Sequence, residues 1–236
     1  KALDSMRDAL EGRRYAQHYI QTLTHEMKSP LAAIRGAAEL LNEEMPPETR
    51  QHFLNNILDE TARSERLINR LLELAAIENR KSLEQAEQVD LHAIVTTAIA
   101  QARPLAELAK VALEVVAFPE PLELRGDAFI LRAAILNLLE NAIDFSPAGG
   151  TIQIAAKIEE ETVALSIRDS GPGIPEYARE KIFDRFYSLR HHSIGRKGTG
   201  LGLTLVKEAA ELHGGSIALE PAEGGGTVAV LTLALR

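Results

Sequence analysis

Two stripes of apolar residues at helical spacing, separated by a pair of prolines, constrain the first third of this chain more than any other feature. The first stripe consists of Ile20, Leu23, Met27, Leu31, Ile34, Ala38 and Leu41. The second consists of Phe53, Ile57, Ile68, Leu71 and Ala75, with the small polar residues Thr61 and Ser64 at the same spacing on that face. Intervals of three and four residues place each set on one helix face. We therefore expect a helix over about 1–45, a turn at 45–48 and a helix over about 48–80, which together form an antiparallel hairpin.

A single hairpin of this kind leaves much of its apolar surface in water. Each helix has one stripe, and two helices alone cannot bury both stripes well. Two hairpins can bury them as a four-helix bundle, so we expect a homodimer formed through residues 19–80. The alternative is an exposed hairpin that packs against a second domain of its own chain.

Composition excludes several classes of function. The net charge of −8 argues against a nucleic-acid-binding surface. The absence of cysteine excludes disulfides, thiolate metal ligands and a cysteine nucleophile. The 236 residues are enough for two domains and contain neither a signal peptide nor the run of roughly 18 apolar residues that spans a bilayer. Because the chain begins with lysine, we expect it to be a piece of a longer protein.

The sequence pattern changes after a polar stretch at 81–90, which we interpret as a linker. Asp90 is a residue type that caps helices, and it precedes a predicted helix over about 91–108. Short alternating segments predict strands with one buried face. The predicted strands lie at 111–117, 122–124, 151–158, 162–168, 216–220 and 226–234, with further helices at 127–144 and 200–213. Strands mixed with helices in this order predict a two-layer α+β sandwich.

The first stretch that could carry chemistry is His25-Glu26-Met27-Lys28-Ser29-Pro30-Leu31. His25 lies two residues from both Leu23 and Met27, about 200° around the helix from the apolar stripe, so its side chain should face solvent. Pro30 removes one backbone hydrogen bond and should kink the helix one turn later. By itself, a histidine on a helix is in most cases an ordinary surface residue.

Asn137 and Asn141 lie one helical turn apart and share a face. Two such amides are often caps or exposed polar residues. The functional alternative is metal binding, because amide oxygens are hard ligands and Mg²⁺ takes few protein ligands while keeping positions for water and phosphate.

Asp169-Ser170-Gly171-Pro172-Gly173 directly follows a predicted strand. These are turn residues, so a tight turn is the simplest interpretation. A carboxylate held at a strand end can also accept a hydrogen bond from the exocyclic amine of adenine, and glycines let the backbone approach a flat base.

Phe183-Asp184-Arg185-Phe186-Tyr187 precedes a polar stretch without periodicity at 188–197, which we interpret as a lid. Arg185 is a candidate for stabilising charge on a transferred phosphoryl group. The alternative is a surface arginine beside two buried phenylalanines. His191, His192 and His213 are interpreted as lid and surface residues rather than as a metal site.

Gly198-Thr199-Gly200-Leu201-Gly202-Leu203 opens a predicted helix. Free N–H groups and the positive end of the helix dipole suit a phosphate at such a position. The pattern is neither the dinucleotide-binding fingerprint nor a P-loop, because no βαβ unit surrounds it and no Gly-Lys-Ser or Gly-Lys-Thr follows.

The order of these motifs resembles that of bacterial two-component sensor histidine kinases. Each motif is weak alone, but all of them in this order are specific, and the similarity covers nearly the whole chain. The resemblance implies a multidomain α+β protein, in which a helical hairpin forms a dimeric four-helix bundle and precedes a Bergerat-type ATP-binding sandwich. The implied domains are a HAMP-like signalling helix at 1–18, a dimerisation and histidine phosphotransfer domain at 19–80, a linker at 81–90 and a catalytic ATP-binding domain at 91–236.

The resemblance also implies roles for individual residues. His25 matches the phosphate acceptor, which reacts through Nε2, and Glu26 matches the carboxylate that accepts from the other ring nitrogen. Asn141 matches the Mg²⁺ ligand and Asn137 its supporting polar group, while Asp169 matches the carboxylate that reads adenine. The further implied nucleotide contacts are Gly171, Gly173, Lys197, Gly198, Thr199, Gly200, Leu201 and Gly202.

Two positions depart from the family pattern. Asp144 stands where the family usually has a lysine or arginine near the phosphates, so Arg185 or Lys197 has to supply that charge. Ser29 stands where members that also dephosphorylate their partner often have threonine or asparagine. Serine keeps the hydroxyl but lacks the methyl group that restricts its rotamer, so phosphatase activity is less strongly implied than kinase activity.

The implied activity is ATP-dependent autophosphorylation of His25, with Mg²⁺, followed by transfer to an aspartate on the receiver domain of a separate response regulator. The implied location is the cytoplasmic portion of a protein anchored in the inner membrane by segments outside this chain. One alternative is a degenerate scaffold that binds ATP and the regulator but transfers little phosphate, because of Asp144. Another is a topoisomerase or chaperone ATPase of the same superfamily, which the His25 stretch disfavours.

Overall fold

The chain divides into two compact units, Lys1–Leu71 and Leu72–Arg236, with the boundary inside a helix. The computed structural model describes residues 21, 23–78, 86–189 and 199–235. Predictions for residues 1–20, including the HAMP-like helix, and for 79–85 and 190–198 lie outside the described residues.

The first unit contains a helical hairpin, as predicted. Helix α1 covers 23–40, and helix α2 covers Pro47–Glu78. Proline suits the first position of α2 because its missing N–H has no partner there. The prediction that α1 extends to 45 is wrong: the Asn42 amide donates to the carbonyl oxygens of Ala38 and Glu39, and the two following prolines disfavour helical backbone before them.

The second unit contains two sheets. The larger has five strands in the order β2-β4-β5-β7-β6, with β2 parallel to β4 and the other neighbours antiparallel. These strands are β2 (Ala112–Ala117), β4 (Thr151–Glu159), β5 (Thr162–Arg168), β6 (Ser216–Pro221) and β7 (Thr227–Ala234). The smaller sheet pairs β1 (Glu87–Asp90) with β3 (Glu123–Gly126). The predicted linker at 81–90 is therefore too long at its C-terminal end, because its last residues form β1.

Three helices form the second layer. They are α3 (Leu91–Ala109), α4 (Ala128–Phe145) and α5 (Gly202–Leu212), and a short 3₁₀ helix covers Glu176–Ala178. Asp90 caps α3 as predicted, since its carboxylate accepts from the N–H of His92 at 2.9 Å. Alternate residues of the sheet point towards these helices and form one apolar core with them, including Leu131, Ile135, Leu139, Ile154, Leu165 and Leu231. The predicted fold class, a helical hairpin followed by a two-layer α+β sandwich, is confirmed.

The interpretation of His213 as a surface residue is wrong. His213 is 3% exposed, its Nδ1 lies 2.7 Å from the carbonyl oxygen of Ala209, and its Nε2 accepts the N–H of Asp127 at 3.0 Å. These two contacts select the neutral tautomer with hydrogen on Nδ1. Burial lowers the pKa of His213, and the hydrogen bond with Ala209 opposes that shift.

None of the helices in the described part of the chain has the length and apolarity needed to cross a bilayer.

Candidate functional site

The His25 stretch lies on α1 with its histidine in solvent. His25 is exposed, as the spacing predicts, and Ser29 is also exposed, whereas Pro30 is buried. The Glu26 side chain is only 19% exposed, and its Oε2 lies 3.6 Å from Nη2 of Arg63 on α2. The exposed imidazole can meet an incoming phosphoryl donor, and the neighbouring carboxylate is held against the hairpin.

Helix α4 carries the asparagine pair. Asn137 is 4% exposed, and its Nδ2 donates to the carbonyl oxygen of Ala133 at 2.9 Å. Its Oδ1 is buried and has no hydrogen-bond partner. Leaving a buried acceptor unpaired costs about 1–3 kcal/mol, so a water or hydrated cation beside Asn137 fits this oxygen. Asn141 is half-buried one turn later on the same face, which makes α4 a suitable support for Mg²⁺.

Asp169 is held at the end of β5 by hydrogen bonds to one of its oxygens. Its Oδ1 accepts the N–H of Gly171 at 2.7 Å and the N–H of Thr227 at 3.0 Å. Burial raises the pKa of Asp169, while these hydrogen bonds and one to the Thr227 side chain oppose that shift. The carboxylate therefore has a fixed orientation, as a residue that reads one base edge requires.

Two glycines are required by the close packing around Asp169. A Cβ atom on Gly171 would lie 2.7 Å from the carbonyl oxygen of Phe145, and one on Gly226 would lie 2.1 Å from the carbonyl oxygen of Asp169. Gly226 also has φ of +93°, which side chains rarely adopt. The contact with Phe145 brings the Asp169 loop to the C-terminal end of α4, the helix that carries both asparagines.

Thr227 is not among the site residues predicted from the sequence. It follows Gly224-Gly225-Gly226, which lie in the turn that connects β6 to β7. The turn has a second function, because the backbone N–H and the side chain of Thr227 both bind Asp169. Arg168 fastens the same turn by donating to the carbonyl oxygen of Glu223. The sequence feature that could have indicated this role is a threonine directly after three glycines at the start of a strand.

Hydrogen bonds connect the residues that precede 190–198 to those that follow it. The N–H of Phe186 donates to the carbonyl oxygen of Gly200 at 2.7 Å, and the Thr204 hydroxyl donates to the carbonyl oxygen of Phe183 at 3.0 Å. Phe186 has φ of +63°, an unusual value for a bulky residue. Gly200 is required here, since a Cβ atom on it would lie 2.4 Å from the Phe186 backbone.

Arg185 forms an ion pair with Glu208 of α5, with Nη2 and Oε1 3.3 Å apart. The arginine side chain is 16% exposed, so it is neither a plain surface residue nor directed freely into solvent. Its predicted contact with a transferred phosphoryl group stays a prediction.

The N-terminus of α5 is suited to an anion. Leu201, directly before the helix, makes no side-chain capping hydrogen bond, and its backbone leads into the buried Gly202. The first N–H groups of a helix have no partner within it, so they can bind phosphate oxygens. Thr199 and Gly200 are half-buried beside this turn, while Lys197 and Gly198 lie outside the described residues.

Comparisons with known proteins agree with this arrangement. Residues 17–80 match the family described as His Kinase A (phospho-acceptor) domain, and residues 126–236 match Histidine kinase-, DNA gyrase B-, and HSP90-like ATPase. A solved structure of the mycobacterial sensor histidine kinase MprB is 32% identical with a TM-score of 0.55, over 64% of this chain and 98% of that chain. The chain belongs to the sensor histidine kinase family.

Other members of the family are similar over more of the chain. The sensor protein CreC of Escherichia coli (strain K12) is 43% identical over 233 residues, which is 99% of this chain and 48% of CreC. A structure of histidine kinase ThkA in complex with response regulator protein TrrA has a TM-score of 0.71 at 24% identity, over 98% of this chain and 63% of that one. The chain spans about half the length of the curated relatives it matches.

Family membership identifies the two parts of the chain. A phospho-acceptor region precedes an ATP-binding region of the kinase, gyrase and chaperone type. A topoisomerase or chaperone ATPase is not favoured, because the phospho-acceptor match covers the His25 stretch.

Proposed function

We propose that this chain is the catalytic portion of a sensor histidine kinase that phosphorylates His25 with ATP and passes the group to an aspartate of a response regulator. The observation that carries the proposal is an exposed histidine in a matched phospho-acceptor region, followed in the same chain by an ATPase-type domain.

His25 acts as the nucleophile and Glu26 as its proton acceptor. Nε2 of His25 forms a bond to the γ-phosphorus while the bond to the bridging oxygen breaks, and ADP leaves with that electron pair. Attack makes the ring positive, and the proton on Nδ1 is then shared with the Glu26 carboxylate. Such a general base contributes about 10²–10⁴-fold to the rate.

The second unit supplies the nucleotide site. Asp169 accepts from the exocyclic amine of adenine, and Gly171 and Gly173 let the backbone approach the base. The α5 N-terminus binds phosphate oxygens, with Thr199, Leu201 and Gly202 nearby. The contacts predicted for Lys197 and Gly198 lie outside the described residues. Asn141 would hold Mg²⁺ with Asn137 beside it on α4, and the metal would neutralise charge on the phosphates.

The active form is a homodimer through the hairpin. Several large apolar side chains of the described hairpin are exposed: Leu31 at 56%, Leu40 at 42%, Leu54 at 41%, Leu58 at 67% and Ile68 at 41%. Burying such side chains contributes roughly 1.5–3 kcal/mol each, so a second hairpin gains much by covering them. We keep the proposed domains 1–18, 19–80 and 91–236, whereas the linker ends before β1 begins at Glu87.

The receiver domain of a response regulator docks on the bundle below His25. The similar ThkA structure contains the response regulator protein TrrA, and the phosphoramidate of phosphohistidine suits onward transfer to a carboxylate. Ser29 lies one turn from His25 and orients a water for dephosphorylation of the regulator. The parent protein is anchored in the membrane by other segments, which places this portion in the cytoplasm.

Labelling with γ-labelled ATP and Mg²⁺ tests the proposal against the degenerate scaffold. We expect label that is lost in acid, stable in base and absent from His25→Ala. Nucleotide binding without label would instead identify a scaffold.

Asp144 is the residue on which the alternative of a degenerate scaffold depends. It is exposed in the last turn of α4, where its charge weakens phosphate attraction. Asp144→Lys should therefore raise ATP affinity by about three- to tenfold. If affinity and labelling rate stay unchanged, Asp144 does not weaken the phosphate site.

A further inference from the structure

Arg63 on α2 faces Glu26 and bridges two carboxylates. Its Nη2 lies 3.6 Å from Oε2 of Glu26 on α1, and its Nη1 lies 3.6 Å from Oε2 of Glu60, one turn earlier on α2. The guanidinium therefore connects the two helices of the hairpin at the level of the residue next to His25.

Partial burial strengthens this bridge. The Arg63, Glu26 and Glu60 side chains are 32%, 19% and 29% exposed. Glu60 Oε2 is buried without a hydrogen-bond partner at normal distance, so the charge of Arg63 is its main compensation. Charge pairs that are partly removed from water are screened less than surface pairs, and a planar guanidinium can hold two carboxylates in fixed directions.

We infer that Arg63 is a positioning residue for His25 phosphorylation and acts through Glu26. The inference rests on the proposed function, in which Glu26 takes the proton from Nδ1 of His25. A glutamate side chain has three rotatable bonds, and the ion pair with Arg63 restricts them. Glu60 holds Arg63 in turn, so the chain of contacts runs from Glu60 through Arg63 to Glu26.

The experiment is a double-mutant cycle on the full chain, with His25 labelling from γ-labelled ATP as the rate assay. Arg63→Met should lower kcat about tenfold with KM for ATP within about twofold, because the nucleotide site is untouched. Arg63→Lys, which keeps the charge, should recover part of the loss. Arg66→Met is the matched control, because Arg66 is exposed on the same helix, and it should behave as the parent chain.

The decisive comparison is in the Glu26→Gln background. If Arg63 acts through Glu26, adding Arg63→Met to Glu26→Gln has no further effect on kcat. If the fold-losses in kcat of the two single variants multiply in the double variant, the inference is wrong. It is also wrong if Arg63→Met has a higher kcat than the parent chain. Nitrogen-15 NMR of the His25 ring gives a readout independent of turnover, since Arg63→Met should reduce the tautomer with hydrogen on Nδ1, and an unchanged tautomer counts against the inference.

The results distinguish failure of the proposed kinase function from failure of the inference about Arg63. A parent chain that takes no label on His25 contradicts the proposed function. A labelled parent chain with Arg63→Met equal to Arg66→Met contradicts only the role of Arg63. Circular dichroism and the dimer mass of each variant show whether a lower rate results from loss of folding. If Arg63→Met does not fold, the rate of Arg63→Lys and its His25 tautomer decide whether Arg63 positions Glu26.

Discussion

The backbone N–H of Thr227 donates to Oδ1 of Asp169 across 3.0 Å, which ties the last strand of the sheet to the carboxylate proposed to read adenine. Because the N–H of Gly171 donates to the same oxygen, the carboxylate has little rotational freedom. The fold alone thus orients the carboxylate proposed to read the base.

Replacing Asp169 should weaken nucleotide binding without unfolding the domain. Asp169→Asn keeps the shape but loses the charged acceptor, worth about 1.5–3 kcal/mol, so ATP affinity should fall roughly 10- to 150-fold. Calorimetric titration with a non-hydrolysable ATP analogue measures this, with the exposed Glu220→Gln as control. Equal affinities in both variants would remove Asp169 from the site.

Gly226 and Gly225 form a matched pair for testing whether the turn before β7 positions Asp169. Both have positive φ, +93° and +104°, but only at Gly226 does a Cβ atom meet Asp169, whereas nothing lies within 4 Å of one at Gly225. Alanine at either position carries similar backbone strain of about 1 kcal/mol. Gly226→Ala should additionally displace Asp169 and lower ATP affinity by at least about tenfold. Similar affinities for the two alanine variants would show that the turn does not position Asp169.

His213 should make stability depend on pH. Burial lowers its pKa from the ordinary value of 6.5. As the pH falls below 6.5, His213 therefore becomes protonated in the unfolded chain while it stays neutral in the folded chain. The free energy of unfolding therefore decreases as the pH falls from 6.5 towards the lowered pKa and stops changing through this group below it.

Urea unfolding at about pH 7.5 and about pH 5.5 measures this contribution. His213→Gln should be less stable than the parent at the higher pH but lose less stability on acidification. His92→Gln is the control, because His92 is partly exposed beside Glu120. A parent and a His213→Gln chain with the same pH dependence would exclude this role for His213.

Leu58 tests the proposed dimer surface. It is 67% exposed on α2, so Leu58→Glu should leave the isolated hairpin intact but place charges in the bundle. We expect the dimer dissociation constant to rise at least about 100-fold, as measured by sedimentation. Glu65→Gln, an exposed change on the same helix, should leave it unchanged. A Leu58→Glu chain that remains fully dimeric would place the interface elsewhere.

Local patterns predicted most of the elements, because the period of apolar residues reports directly on helices and strands. The α1 and α2 stripes, the Asp90 cap and the alternating strands are of this kind. The proline pair correctly marked the turn, although Asn42 ends α1 earlier than the apolar stripe does.

The features that escaped prediction join residues far apart in sequence. Thr227 binds Asp169 across 58 positions, and His213 binds Asp127 across 86. Such contacts depend on strand register and helix packing, which no short window of sequence contains. The pairing of β1 with β3 escaped for the same reason, since Glu87–Asp90 is polar enough to resemble a linker.

Locating the phosphoryl group in the chain tests the central claim most directly. The chain is incubated with ATP and Mg²⁺, kept at mildly basic pH, digested and analysed by tandem mass spectrometry. We predict one phosphorylated residue, His25, with no phosphorylated peptide from His25→Gln. Phosphate on another residue, or an unmodified His25 in a chain that binds ATP, would contradict the account.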